Sequence, residues 1–157
     1  MTTHASSPLL DVRDLRVGLQ TPRGPADAVR GVSFSLARGQ TLGIVGESGC
    51  GKSITVQALM GLLPGSATVS GSIRFDGQEL VGQPDAVRAR LRGDRIGMVF
   101  QEPMTALNPV HTIGRQVAEP LRLHRGLSRA EARAQALALL ERVGIPDAAR
   151  RLDAGPH

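Results

Sequence analysis

The feature that most constrains this sequence is a glycine-rich segment at residues 46–53, which reads Gly-Glu-Ser-Gly-Cys-Gly-Lys-Ser. Before it, the short apolar run Thr41–Val45 predicts a buried strand of a parallel sheet. After it, Ser53–Leu63 predicts a helix that Pro64 and Gly65 end. Strand, glycine-rich turn and helix in this order are typical of a loop that holds phosphates, so an α/β fold is expected.

Each residue type in the segment suits a polyphosphate. Glycines let the backbone curl until successive N–H groups point inward, and the following helix adds the positive end of its dipole. Lys52 is expected to reach the β- and γ-phosphates, and the Ser53 hydroxyl to bind Mg²⁺. We interpret Cys50 as a small filler rather than a redox group. The predicted nucleotide site is Gly46, Glu47, Ser48, Gly49, Cys50, Gly51, Lys52 and Ser53.

The positive charge of the chain is nearly all arginine. The net charge is +5, and Lys52, inside the loop, is the only lysine. A compositional bias of the genome explains the arginine excess, and an anionic partner, nucleic acid or a membrane surface, is the alternative. With three Phe and no Tyr or Trp, the chain lacks the aromatic platforms on which single strands stack, so nucleic acid is not expected.

The remaining composition fits a soluble, cytosolic protein. One cysteine forms no internal disulfide, and no apolar run approaches the length of a membrane span. The N-terminus has no signal-peptide pattern, and residues 1–8 are expected to be a disordered tail.

The other elements follow from apolar periodicity and turn residues. Asp76-Gly77 predicts a two-residue hairpin, and Ser128 with Glu131 predicts a capping box. No strand pattern follows Gln101. Further strands are predicted at Leu9–Leu19, Val32–Leu36, Val69–Phe75, Gln78–Leu80 and Arg95–Phe100, and further helices at Asp85–Leu91, Ile113–His124 and Ser128–Val143.

Three stretches resemble one family, the ATP-binding subunits of ABC transporters. Leu42–Ser53 is similar to their phosphate loop, and Arg92–Pro103 to the strand that leads into their Q-loop. Met104–Pro109, which reads Met-Thr-Ala-Leu-Asn-Pro, resembles the dipeptide/oligopeptide importer branch, which also takes nickel and glutathione. The likeness runs from about Leu9 to His157 and implies a P-loop NTPase fold with an ABC-type nucleotide-binding domain.

The resemblance also implies roles and partners. Gln101 would be the Q-loop glutamine, which binds Mg²⁺ and helps to place the attacking water, and the cofactors would be ATP and Mg²⁺. Residues 9–103 would form the RecA-like part and β subdomain, and residues 104–157 an incomplete helical subdomain. The implied partners are membrane permease subunits, a second ATP-binding subunit and, indirectly, a solute-binding protein. The implied location is the cytoplasmic face of the inner membrane, where the protein is peripheral.

The sequence departs from the family pattern in three places. The signature stretch, the strand that ends in Asp-Glu and the switch histidine do not occur within the 157 residues. Gly18 and Leu19 stand where an adenine-stacking aromatic is usual, and Gly155 where an aromatic precedes Pro-His. Because phosphoryl transfer depends on positioned carboxylates, we expect this polypeptide to turn over ATP at close to the background rate. We also expect it to be marginally stable, with an unpaired apolar edge beside Thr41–Val45.

Two function classes stay open and two others are disfavoured. The chain is either the ATP-binding component, in part, of a peptide-type importer, or a truncated module that binds Mg·ATP without hydrolysing it. A GTPase needs a second lysine in its base-reading motif, and the chain has none. A small-molecule kinase needs a lid of clustered arginines, whereas the arginines here are scattered.

Overall fold

The structure is a computed structural model that describes residues 7–102 and 106–156. Part of the predicted N-terminal tail, together with Met104 and Thr105 of the Met104–Pro109 motif, lies outside the described residues. The chain divides into two compact units, Met1–Ala89 and Arg90–His157, and each is described by itself. The boundary between residues 103 and 104 that the resemblance implies stays a prediction.

The first unit is built on an antiparallel sheet of four strands in the order β2-β1-β3-β4. One helix follows the glycine-rich loop, and a second, short helix begins in this unit and ends at Leu91, two residues past the boundary. The elements are β1 (Leu10–Thr21), β2 (Gly24–Leu36), α1 (Lys52–Met60), β3 (Thr68–Phe75), β4 (Gln78–Glu79) and α2 (Asp85–Leu91). Val12, Leu15 and Val17 of β1 are buried in the core. Alternation alone would put Val12 and Leu15 on opposite faces, and an irregularity between them, where Asp14 has φ 44°, brings both to the covered face.

The hairpin between β3 and β4 forms where the sequence predicts it. Asp76 has φ 50° and Gly77 has φ 81°, the left-handed backbone that a two-residue turn of this kind needs at both positions. The Glu79 carboxylate then ends the ladder, because its Oε1 accepts from the backbone N–H groups of Ile73 (2.9 Å) and Val81 (3.0 Å). One side chain therefore takes over the hydrogen bonds that a longer strand would have made.

The second unit is a helical hairpin followed by a short helix. It comprises α3 (Ile113–Arg125), α4 (Arg129–Arg142) and α5 (Ala148–Arg151). The capping box at Ser128 and Glu131 is present, and Gly126 ends α3 at φ 64°. The core is made mainly of small residues, so the two long helices approach closely. Its buried members are Ala118, Ala132, Ala136, Leu140, Ala148 and Leu152.

Two predicted strands are wrong. Thr41–Val45 is neither a strand nor buried, and Val45 is 93% exposed. Arg95–Phe100 contributes only one isolated parallel bridge, Ile96 with Arg92, and Val99 is 97% exposed. The physical reason is the same for both. A parallel strand gains its hydrogen bonds and its burial from neighbours on either side, and within the described ranges no strand lies beside either segment.

The end of α1 also differs from the prediction. The helix stops at Met60 rather than at Leu63, because Gly61 adopts a left-handed conformation at φ 66°. Its N–H and that of Leu62 then bond back to the carbonyls of Ala58 and Gln57. This glycine cap ends the helix one turn before Pro64.

Candidate functional site

The glycine-rich loop lies directly before the first turn of α1. Residues 46–51 have no regular structure, and the helix begins at Lys52. The first helical hydrogen bond joins Thr55 N–H to the Gly51 carbonyl (2.8 Å), so the preceding N–H groups are the ones that a helix leaves for an anion. Gly51, the residue before the helix, carries no side chain that could cap those groups. The N-terminus of α1 is therefore built as an anion-binding end.

Gly51 is required by two constraints at once. Its φ is 93°, which side-chain-bearing residues rarely adopt, and a Cβ at this position would lie 2.5 Å from the Ala28 carbonyl oxygen. The loop is thus pressed against β2 at Ala28. We did not predict this support from β2. The signal for it in the sequence is the glycine at position 51, a residue type that allows a close approach of two backbones.

The Lys52 ammonium folds back over the loop. It donates to the carbonyl oxygens of Gly46 and Glu47, both at 2.7 Å, and lies 3.5 Å from the Cys50 sulfur. A flexible lysine held by two main-chain acceptors keeps its charge at the centre of the curl, where a phosphate would need it. Ser53 lies one residue further along the first turn, and its side chain is exposed. Lys52 thus brings Gly46, Glu47 and Cys50 together, whereas the role of the whole segment 46–53 as a nucleotide site stays a prediction.

An open cavity of about 700 Å³ borders the loop. Gly49, Cys50, Gly51 and Lys52 line one side of it. The other walls come from residues 27–34 of β2 and from the apolar segment 42–45. The cavity is wide enough for a nucleotide, whereas Gly18 and Leu19, the positions considered for an adenine contact, are not among its lining residues.

The second predicted position, Gln101, lies in the other unit. It is exposed and has irregular backbone, as does Phe100 before it, which is 49% exposed. Its role as a Q-loop glutamine and Mg²⁺ ligand stays a prediction. No helix of the described residues is long and apolar enough to cross a membrane.

Comparison with known protein families gives a match over most of the chain. The family model described as "ABC transporter" matches residues 29–157, most of the chain and all of the loop. The chain belongs to the ABC transporter family. As in that family, the fold is that of a P-loop ATPase, with an antiparallel sheet in the first unit.

Two relatives with peptide-transport names and one solved ATP-binding cassette are similar to this chain. The oligopeptide transport ATP-binding protein OppD of Escherichia coli (strain K12) is 47% identical over 95% of this chain, which covers 44% of OppD. A putative peptide import ATP-binding protein of Brucella abortus (strain 2308) is 49% identical over 97% of this chain, which covers 46% of that protein. The chain thus spans under half the length of both. The solved structure of the dimeric ATP-binding cassette MJ0796 bound to ADP and Pi superposes on this chain with a TM-score of 0.79 at 26% sequence identity. The superposition covers 94% of this chain and 61% of the MJ0796 chain.

Proposed function

We propose that this chain binds Mg·ATP at residues 46–53 and serves as part of the ATP-binding component of a peptide-type ABC importer. The observation that carries the proposal is the Lys52 ammonium held over the loop beside the uncapped start of α1. The names of the relatives, oligopeptide transport and peptide import ATP-binding proteins, support the solute class.

Three features of the loop fit a bound polyphosphate. The N–H groups before Thr55 would bind phosphate oxygens, and Lys52 would exchange a carbonyl contact for the β- and γ-phosphates. The Ser53 hydroxyl, at the second position of α1, would ligate Mg²⁺. Gln101 would act as a second Mg²⁺ ligand and orient the attacking water. The Mg²⁺ ion, when bound, supplies positive charge that offsets the charge of the phosphates.

The partners follow from the same proposal. The chain would contact membrane permease subunits through the helical unit, pair with a second ATP-binding subunit and act indirectly with a solute-binding protein. It would lie peripherally at the cytoplasmic face of the membrane. The relatives are named as import and transport ATP-binding proteins, which supports this arrangement.

The proposal is tested by measuring the affinity of the full chain for Mg·ATP with isothermal titration calorimetry. Lys52→Ala removes the ammonium that neutralises the phosphates, so we expect affinity to fall at least about tenfold. Arg23→Ala, which removes a cation from the turn between β1 and β2, is the matched control and should leave affinity unchanged. Equal affinity in Lys52→Ala and the parent chain would overturn the proposed site.

A second candidate is a module that binds the nucleotide without turnover. One observation favours it: the segment 41–45 that leads into the loop is unpaired and exposed, so the loop lacks a rigid strand behind it. Phosphate release from saturating Mg·ATP tests this second candidate. Turnover above the rate without protein, and lost in Lys52→Ala, would rule out the binding-only module, whereas binding without release is the result expected of it.

A further inference from the structure

The turn between α3 and α4, with the helix ends beside it, contains several positively charged residues and one exposed leucine. Residues 122–129, here called the basic tip, read Arg-Leu-His-Arg-Gly-Leu-Ser-Arg and contain no Asp or Glu. Arg122, Arg125 and Arg129 are all exposed, and Leu123 between them is 72% exposed. The basic tip therefore presents three exposed guanidinium groups with one exposed apolar side chain among them.

Helix stability explains only part of this charge. Arg122 and Arg125 lie in the last turn of α3, where a cation offsets the negative end of the dipole. Arg129 occupies the first position of α4, where the dipole is positive and an added cation is unfavourable. Across the described parts of the chain, no ion pair involves any of the three arginines. Neither the helix dipole nor an ion pair among the described residues therefore accounts for the charge at Arg129.

We propose that the basic tip binds an anionic lipid surface. Three guanidinium groups would contact lipid phosphates, and Leu123 would enter the boundary between headgroups and acyl chains. Each cationic residue near an anionic leaflet strengthens binding roughly fivefold. The inference goes beyond the proposed function, because it names a direct lipid contact that does not pass through a permease subunit.

The exposed leucine favours a membrane over nucleic acid as the anionic partner. A phosphate backbone would engage the arginines equally well, but it offers no apolar phase for Leu123. The basic tip also contains no Phe, Tyr or Trp on which a base could stack. A lipid surface satisfies both the charge and the apolar side chain.

Vesicle flotation of the full chain tests the inference. We expect binding to phosphatidylcholine vesicles that contain phosphatidylglycerol, no binding to pure phosphatidylcholine, and release by added salt. The triple variant Arg122→Gln, Arg125→Gln and Arg129→Gln should partition at least about tenfold more weakly. Leu123→Ser, with all the charge retained, should lose roughly fivefold. Circular dichroism of each variant establishes that the helical hairpin is intact.

A matched variant separates the basic tip from net charge. Arg142→Gln, Arg150→Gln and Arg151→Gln remove the same charge from the same unit, at the end of α4 and in α5, and should leave partitioning unchanged. Equal loss in both triple variants, no flotation by the parent chain, or retention by RNA in place of vesicles would each overturn the inference. Lys52→Ala should still float, so failure of the nucleotide site and failure of the basic tip give different results.

Discussion

The Gln116 side chain makes three hydrogen bonds to the loop before α3. Its side-chain oxygen accepts from Asn108 N–H at 2.7 Å, and its side-chain nitrogen donates to the carbonyls of Asn108 and His111, both at 2.9 Å. Asn108 in turn accepts from Val110 N–H at 2.9 Å. These side-chain bonds add to the main-chain bond from His111 N–H to the Asn108 carbonyl (3.2 Å), and Val110 stays 83% exposed in the loop.

Removal of this amide should loosen the loop selectively. In Gln116→Ala, the N–H of Asn108 and the carbonyl of His111 lose their partner, so amide hydrogens of residues 108–112 should exchange at least about tenfold faster. Hydrogen exchange followed by mass spectrometry measures this. Gln135→Ala, on the exposed face of α4, is the control and should change nothing there. Unaltered exchange in Gln116→Ala would mean that the loop is held by other contacts.

Glu79 is a carboxylate whose charge the fold uses. Burial acts to raise its pKa, but the hydrogen bonds from Ser72 and from the N–H groups of Ile73, Val81 and Leu80 outweigh burial and lower the pKa below its ordinary value. A depressed pKa means that the contribution to stability is present above the unfolded pKa and is lost as pH falls through the folded value. The hairpin should therefore weaken in acid, as the pH falls below the ordinary pKa of a glutamate.

The matching substitution is Glu79→Gln. The neutral amide accepts more weakly from the three N–H groups, so we expect a loss of about 1–2 kcal/mol in the free energy of unfolding at neutral pH. Urea denaturation at several pH values measures this, and the variant should lose the part of the acid dependence that Glu79 causes. Glu119→Gln, an exposed residue of α3, is the control. An unchanged acid dependence in Glu79→Gln would assign it to other carboxylates.

At the scale of the element, the sequence predicted the helices and turns whose formation depends on nearby residues alone. α2 matches its predicted bounds, and α4 begins at its predicted capping box, because cap residues and helical periodicity are local. The hairpin at Asp76-Gly77 is local in the same sense. Thr41–Val45 and Arg95–Phe100 failed because strand formation depends on neighbours that periodicity does not reveal. In the site, the loop could be predicted from its glycines, whereas the support from Ala28 could not.

The packing of α3 on α4 depends on small side chains. Gly114 of α3 lies close to Leu152, which follows α5, since a Cβ at Gly114 would lie 2.8 Å from the Leu152 carbonyl oxygen. Ala132 and Ala136 are fully buried on α4. Ala136→Leu would add volume to a seam without room, so we expect a loss of about 1–3 kcal/mol in the free energy of unfolding.

Thermal denaturation followed by circular dichroism measures this cost. Ala134→Leu places the same side chain on the exposed face of α4 and should change stability by less than about 0.5 kcal/mol. Equal effects of the two substitutions would mean that the helices are not in close contact. A lower melting temperature for Ala136→Leu alone confirms the seam.

At the scale of the whole molecule, the unpaired segment 41–45 has the largest consequence. Leu42 and Ile44 are 43% and 42% exposed, and Val45 is 93% exposed, although the run is as apolar as a buried strand. Its N–H and C=O groups make no ladder in the described part of the chain. An apolar segment with free main-chain groups is a template for pairing with another molecule, so self-association should begin here.

Val45→Lys tests this origin of self-association. A lysine is a charge that edge strands use against pairing, so we expect the variant to shift sedimentation velocity profiles from oligomers towards monomer. Val110→Lys adds the same charge at a comparably exposed valine outside the segment and should leave the oligomers in place. Equal dispersal by both would make net charge the cause. A parent chain that stays monomeric at high concentration would contradict the prediction that segment 41–45 causes self-association.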